Sequence, residues 1–126
     1  MKTTENTPNY RIYNLRRDGK LPLRFRGILI SEADDHSHSG DRQNCWTIVR
    51  IYRTTGGRVV VKVIQRTLWA GESDDHSAES LGSSRAAIAW LIDANGGTLG
   101  SASQDAIIRA GEVDPEFAAA FDEYVD

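Results

Sequence analysis

A six-residue string recurs in the chain with one residue changed. Glu32-Ala33-Asp34-Asp35-His36-Ser37 returns as Glu72-Ser73-Asp74-Asp75-His76-Ser77, and all three histidines, His36, His38 and His76, lie in or beside the two copies. Imidazole with carboxylate suits zinc, manganese or nickel, whereas carboxylates alone suit calcium. Asp34, Asp35, His36, His38, Asp74, Asp75 and His76 are therefore the candidate ligands of a divalent metal. The spacing matches no metalloenzyme motif such as HExxH. Asp, His and Ser also populate solvated turns through local hydrogen bonds.

Other reaction chemistry finds little support. The chain lacks a phosphate loop, a dinucleotide fingerprint, a nucleophile elbow and a zinc knuckle. Cys45, the single cysteine, excludes an internal disulfide and reads as a small, partly buried apolar residue. Neither Cys45 nor Ser83-Ser84 has a histidine placed by sequence to activate it. The reading leans away from an enzyme, with no cofactor, the divalent metal being the alternative.

Charge is the second unusual feature. Residues 1–66 carry thirteen Lys+Arg against six Asp+Glu, while residues 67–126 carry two against twelve. Such segregation suits a macromolecular partner, or attraction between the two halves of one fold. Arg24, Arg26, Arg50, Lys62 and Arg66, with Trp46 and Tyr52 among them, are predicted to line one sheet face. Basic charge binds phosphates and aromatic rings stack on unpaired bases, so a single-stranded nucleic-acid binder is an alternative. Equally, Arg and Lys stems cover an exposed sheet while their heads stay in water. Glu112, Glu116, Asp122 and Glu123 form the candidate acidic binding face.

These residues need elements to hold them. Alternation predicts strands over 10–15, 21–30, 45–53 and 58–68. Asp18-Gly19 marks the first turn, and Thr54-Thr55-Gly56-Gly57 a type I turn closed by a left-handed glycine. That turn puts Val49, Ile51, Val59, Val61 and Val63 on one face. Trp46, Ile48, Arg50, Tyr52, Val60, Lys62, Ile64 and Arg66 then share the other. Ser83 or Ser84 caps a helix ended by Gly96-Gly97. Ser101 with Gln104 has capping-box spacing for a second helix ending near Gly111. Asp114-Pro115-Glu116 starts a third, with Phe117, Phe121 and Tyr124 as its docking stripe. The expected fold is α+β: a four-stranded antiparallel meander, then two or three helices on one face. Residues 1–9 are expected to fray, with sheet over 10–69, a loop over 70–83 and helices over 84–126 of a single domain. In that loop arrangement the two acidic–histidine strings open at the same end of the sheet, about 10 Å apart.

Length and composition fit this expectation. With 126 residues, 40% hydrophobic and 26% charged, the chain can bury one core without staples. No apolar run approaches the ~20 residues of a membrane span. The opening MKTTENTPNY lacks a signal-peptide pattern, so a cytoplasmic location is expected.

Arg24 to Glu32 (RFRGILISE) and Thr47 to Trp69 (TIVRIYRTTGGRVVVKVIQRTLW) together resemble the β-rich core of the EXLDI family, small bacterial proteins named for a C-terminal motif. Phe25, Gly27, Tyr52, Arg53, Gly57 and Trp69 carry the resemblance over the middle third of the chain. The sequence departs from the family in lacking an N-terminal helical segment and in ending FDEYVD. The resemblance implies an accessory or regulatory protein and supplies no catalytic residue. The combined expectation is a non-enzymatic interaction module of bacterial or mobile-element origin. It would bind a protein partner through charged surfaces, as a regulator or an inhibitor of a defence complex, with nucleic acid as the alternative partner.

Overall fold

The computed structural model describes residues 9–35, 45–69 and 71–120. It contains β1 (Arg11–Leu15), β2 (Leu23–Asp34), β3 (Cys45–Thr54), β4 (Val59–Thr67), β5 (Asp75–Leu81), α1 (Ser84–Ala94), α2 (Ser101–Val113) and α3 (Pro115–Ala120). The strands form one antiparallel meander in the order β1-β2-β3-β4-β5, curled into a half-barrel. The class is α+β, but the sheet has five strands and not the four expected from sequence. Its fifth strand comes from the stretch predicted as loop, 70–83. That stretch is largely polar, and Ala78 alone within β5 is buried, with Leu81 partly so. The missed signal lay in β4, where Val59, Val60, Val61 and Ile64 are buried on both faces. A strand apolar on both faces belongs inside a sheet and needs two neighbours.

The β3–β4 hairpin follows its turn chemistry. Thr54 N–H donates to the Arg58 carbonyl at 2.9 Å, Gly57 N–H to the Thr54 carbonyl at 3.0 Å, and Gly57 has φ +88°. The register pairs Val49 with Val63, Ile51 with Val61 and Tyr52 with Val60. The valine and isoleucine face therefore meets the helices, as the alternation predicts.

The main core sits there, with Ala33, Val49, Ile51, Val59 and Val61 packed against Ala87, Leu91, Ala106, Ile107, Ala110 and Phe117. Ser83 caps α1, its side chain accepting from Ala86 N–H at 3.1 Å. In α2 the expected Ser101 cap is not used; Gly100 occupies the cap position without a side-chain hydrogen bond. Asp114 caps α3 by accepting from the Glu116 and Phe117 N–H groups. Phe117 is fully buried, while Phe121 and Tyr124 of its predicted stripe lie outside the described residues.

Two features of β2 set the geometry of the surface. A bulge between Leu29 and Ser31 shifts its phase, so Leu29 pairs with Tyr52 but Ser31 pairs with Ile51. Beyond the bulge Ser31 and Ala33 turn to the helices, and Ser31 Oγ donates to the Ala106 carbonyl at 2.6 Å. Gly27 is the other feature. A Cβ there would stand 2.5 Å from the Arg53 carbonyl oxygen and 3.0 Å from Thr54 Cα, both backbone atoms that cannot swing aside. Gly27→Ala is expected to cost about 1–3 kcal/mol, the range for overpacking. It should also accelerate hydrogen exchange at Thr55 N–H, which donates to the neighbouring Arg26 carbonyl. An unchanged melting temperature would contradict this.

Candidate functional site

The sheet sets the described members of the acidic–histidine strings apart. Asp34 pairs with Ile48, Ile48 with Ile64, and Ile64 with His76, so Asp34 and His76 share one row three strand spacings apart. That is about 14 Å of sheet, far beyond the span of one ion's ligands. Asp35 accepts from Thr47 N–H at 2.8 Å and Asp74 from Thr67 N–H at 3.0 Å, each closing a strand end. Asp74 also pairs with Arg66 at 3.0 Å, and Asp75 stands opposite Gln65. His36 and His38 lie outside the described residues. Among the described residues no group of three or more His, Cys, Asp or Glu is placed to hold a metal ion.

His76 belongs to β5 and not to a loop. Its N–H donates to Asp18 Oδ2 at 2.8 Å, while Asp18 N–H donates to the His76 carbonyl at 2.9 Å. The β1–β2 turn is thereby latched to the far edge strand, which is how the sheet curls over its helix-free face. Lys62, 3% exposed, lies beneath the latch. Its Nζ donates to the Arg16 carbonyl and to His76 Nδ1, the latter at 3.0 Å. An ammonium only donates, so Nδ1 carries the lone pair and the imidazole is neutral with its proton on Nε2. Desolvation by burial holds the His76 pKa below its ordinary value, reinforced by the Lys62 and Arg16 charges and opposed by Asp18 and Asp74. Burial likewise lowers Lys62.

The sign of the pH effect follows. A depressed histidine pKa means that the unfolded chain binds more protons near pH 6, so stability rises with pH through that interval. The contribution is complete above the unfolded value of about 6.5 and is lost as pH falls through the lower folded value. Lys62→Met is expected to raise the His76 titration midpoint in NMR. It should also cost about 1–3 kcal/mol by stripping two acceptors of their donor. A midpoint that stays in place would show that the ammonium does not set it.

The expected basic face is split in two. Phe25 packs edge-on to Tyr52 at 5.3 Å, and Tyr13 lies 4.7 Å from Tyr52. Leu23, Phe25 and Leu29 therefore share the helix-free face with Trp46, Arg50, Tyr52, Lys62 and Arg66, whereas Arg24 and Arg26 point to the opposite one. On the helix-free face the cations are already partnered. Arg50 binds Glu32 at 2.7 Å, Arg66 binds Asp74 and lies 5.9 Å from the Trp46 ring centre, and Lys62 is buried. Tyr52, 3% exposed, presents no ring for stacking. Burial raises its hydroxyl pKa, with Arg50 pulling the other way.

Part of the acidic set is also committed internally. Arg53 makes a two-pronged contact with Asp114, Nε–Oδ2 at 3.0 Å and Nη2–Oδ1 at 2.8 Å, and Nη2 meets Glu116 Oε1 at 2.9 Å. Ser84 Oγ donates to the same Glu116 oxygen at 2.9 Å. This cluster joins the β3–β4 hairpin, α1 and the start of α3. Glu112 is exposed on the last turn of α2, and Asp122 and Glu123 lie outside the described residues.

The β1–β2 hairpin is different. Arg11, Arg24 and Arg26 are exposed, and none of the three has an ion-pair partner among the described residues. Ile12, 50% exposed, pairs with Arg26, and Asn14 pairs with Arg24, all four on the helix side of the sheet. Beside them a cleft of about 410 Å³ opens between β2 and the end of α2. Arg11, Ile12 and Val113 were not among the residues the sequence singles out. The alternation of β2 did place Arg24 and Arg26 opposite Phe25, but their position relative to Tyr52 depends on the β2–β3 pairing register, in which Leu29 meets Tyr52. Cys45, expected partly buried, is exposed, its thiol 3.6 Å from Thr67 Oγ1. Among the described residues no helix is long and apolar enough to cross a membrane. The chain matches no family model, no curated protein and no solved structure.

Proposed function

We propose that the protein is a non-enzymatic interaction module that binds an acidic surface of a protein partner through the β1–β2 hairpin. One observation carries the reading. Arg11, Arg24 and Arg26 stand exposed without carboxylate partners among the described residues, while Arg50, Arg53 and Arg66 each have one. Unpaired cations grouped on one hairpin, Arg24 and Arg26 on its helix-side face and Arg11 on the other, raise the rate of encounter with an acidic surface and penalise basic ones. A stoichiometric regulator or inhibitor needs no more than such a hairpin on a rigid scaffold.

The test is affinity purification of the tagged full chain from its host, in parallel with Arg24→Glu/Arg26→Glu. A partner recovered with the wild-type chain, released by moderate salt and absent from the variant supports the reading. An identical set of co-purifying proteins from both chains would sink it.

A further inference from the structure

The geometry points to the β2–α2 cleft as a docking groove for an extended acidic peptide segment carrying one bulky apolar side chain. This rests on the interaction reading above and names the chemistry of the segment recognised. Tyr10, Ile28, Ile30 and Val113 line the cleft, with the paired Arg53 and Asp114 at one wall. Val113 is 65% exposed, so an entering apolar group would remove it from water.

The cations continue from the cleft along a straight line. Before the bulge Arg24, Arg26 and Ile28 are alternate residues of β2, hence on one face at steps of about 6.7 Å. An extended peptide has the same step between alternate side chains. Seated with its apolar residue over Ile28, it brings carboxylates two and four positions away onto Arg26 and Arg24. Charge complementarity thus supplies the occupant's sign and the strand repeat supplies its spacing. A nucleic acid fits less well. The floor is apolar, Glu112 is exposed beside Val113, and the rings of Phe25 and Tyr52 pack on the other face.

A random dodecapeptide phage library panned at low salt on the immobilised full chain tests the groove. The expected clones carry an apolar or aromatic residue with Asp or Glu two and four positions away. Their binding should fall at least tenfold on Arg24→Glu/Arg26→Glu and on Val113→Asp, and persist on Arg85→Glu in α1. Arg24→Gln/Arg26→Gln, with melting curves of every variant, separates lost recognition from lost folding. Clones without acidic bias, or binding indifferent to both groove variants, would overturn the groove. So would a twelve-nucleotide oligothymidylate that binds more tightly than any clone and is lost on the same variants. Failure here is distinguishable from failure of the broader reading. A natural partner lost on Arg24→Glu/Arg26→Glu but kept on Val113→Asp, and not displaced by the peptides, leaves the hairpin as the interface and removes the groove.

Discussion

Truncating Phe117 to alanine is expected to destabilise the protein by about 3–5 kcal/mol, the cost of deleting a buried ring whose neighbours relax only in part. Phe117 has no exposed surface and belongs to the main core with Ala106, Ala110 and Leu91. It is the largest fully buried side chain described, and it lies on α3, beside the buried Ala120. Helices in proteins draw most of their stability from docking of such a buried face. The loss should therefore appear as one cooperative transition at lower denaturant, with an unchanged slope if α3 unfolds with the sheet. Ile108→Ala is the control: its side chain is 54% exposed and should shift stability by no more than about 0.5 kcal/mol. Equal effects from the two substitutions would contradict the packing described.

Arg53→Met is expected to cost about 3 kcal/mol, the lower end for breaking a buried ion pair. The side chains of Arg53 and Asp114 are 18% and 11% exposed, so removing the guanidinium leaves an acid without its counter-charge in a poorly hydrated place. The thioether keeps most of the apolar stem, which confines the loss to the charge and its hydrogen bonds. A pH series adds a second readout. Burial pushes the Glu116 carboxyl up, but hydrogen bonds from Ser84 and Arg53 outweigh it and hold the pKa below the ordinary value. A depressed carboxylate contributes stability that is present above its unfolded pKa of about 4.3 and is lost as pH falls through the folded value. In the variant the Glu116 pKa should move up, so acid should erode stability less steeply than in the wild-type chain. Parallel acid limbs would show that Arg53 does not hold Glu116.

The parts of the fold legible in the sequence are those where local chemistry and burial agree. Thr54 to Gly57 specify one turn, that turn specifies one register, and the valines fall on one face as a result. The fifth strand was hidden because β5 brings almost no apolar residue of its own; its place is set by the exposed flank of β4. The loop assignment of the second copy of the repeat fails for a related reason. His76 reads as a loop residue until β5 exists, and then the ladder fixes it at the Asp18 turn, three strands away from Asp34 along one row. The division of the arginines was equally hidden. Period-two alternation relates Arg24 to Phe25 within β2, but whether Phe25 sides with Tyr52 depends on the pairing of Leu29 with Tyr52. No single-strand pattern contains that pairing.

The latch between Asp18 and His76 also imposes an order on the making of the molecule. Each hairpin of the meander closes between neighbours in sequence, on a scale of microseconds. The latch spans 58 residues. At synthesis rates of about 5–20 residues per second, the turn leaves the ribosome roughly 3–12 s before its acceptor strand does. Throughout that interval the first hairpin has no strand to grip, and in its last part, the roughly 0.5–2 s between completion of β4 at Thr67 and the arrival of His76, β4, apolar on both faces, is a bare edge. The growing chain is then open to pairing with a neighbouring nascent copy, and the arrival of β5 covers that edge and secures the first turn together.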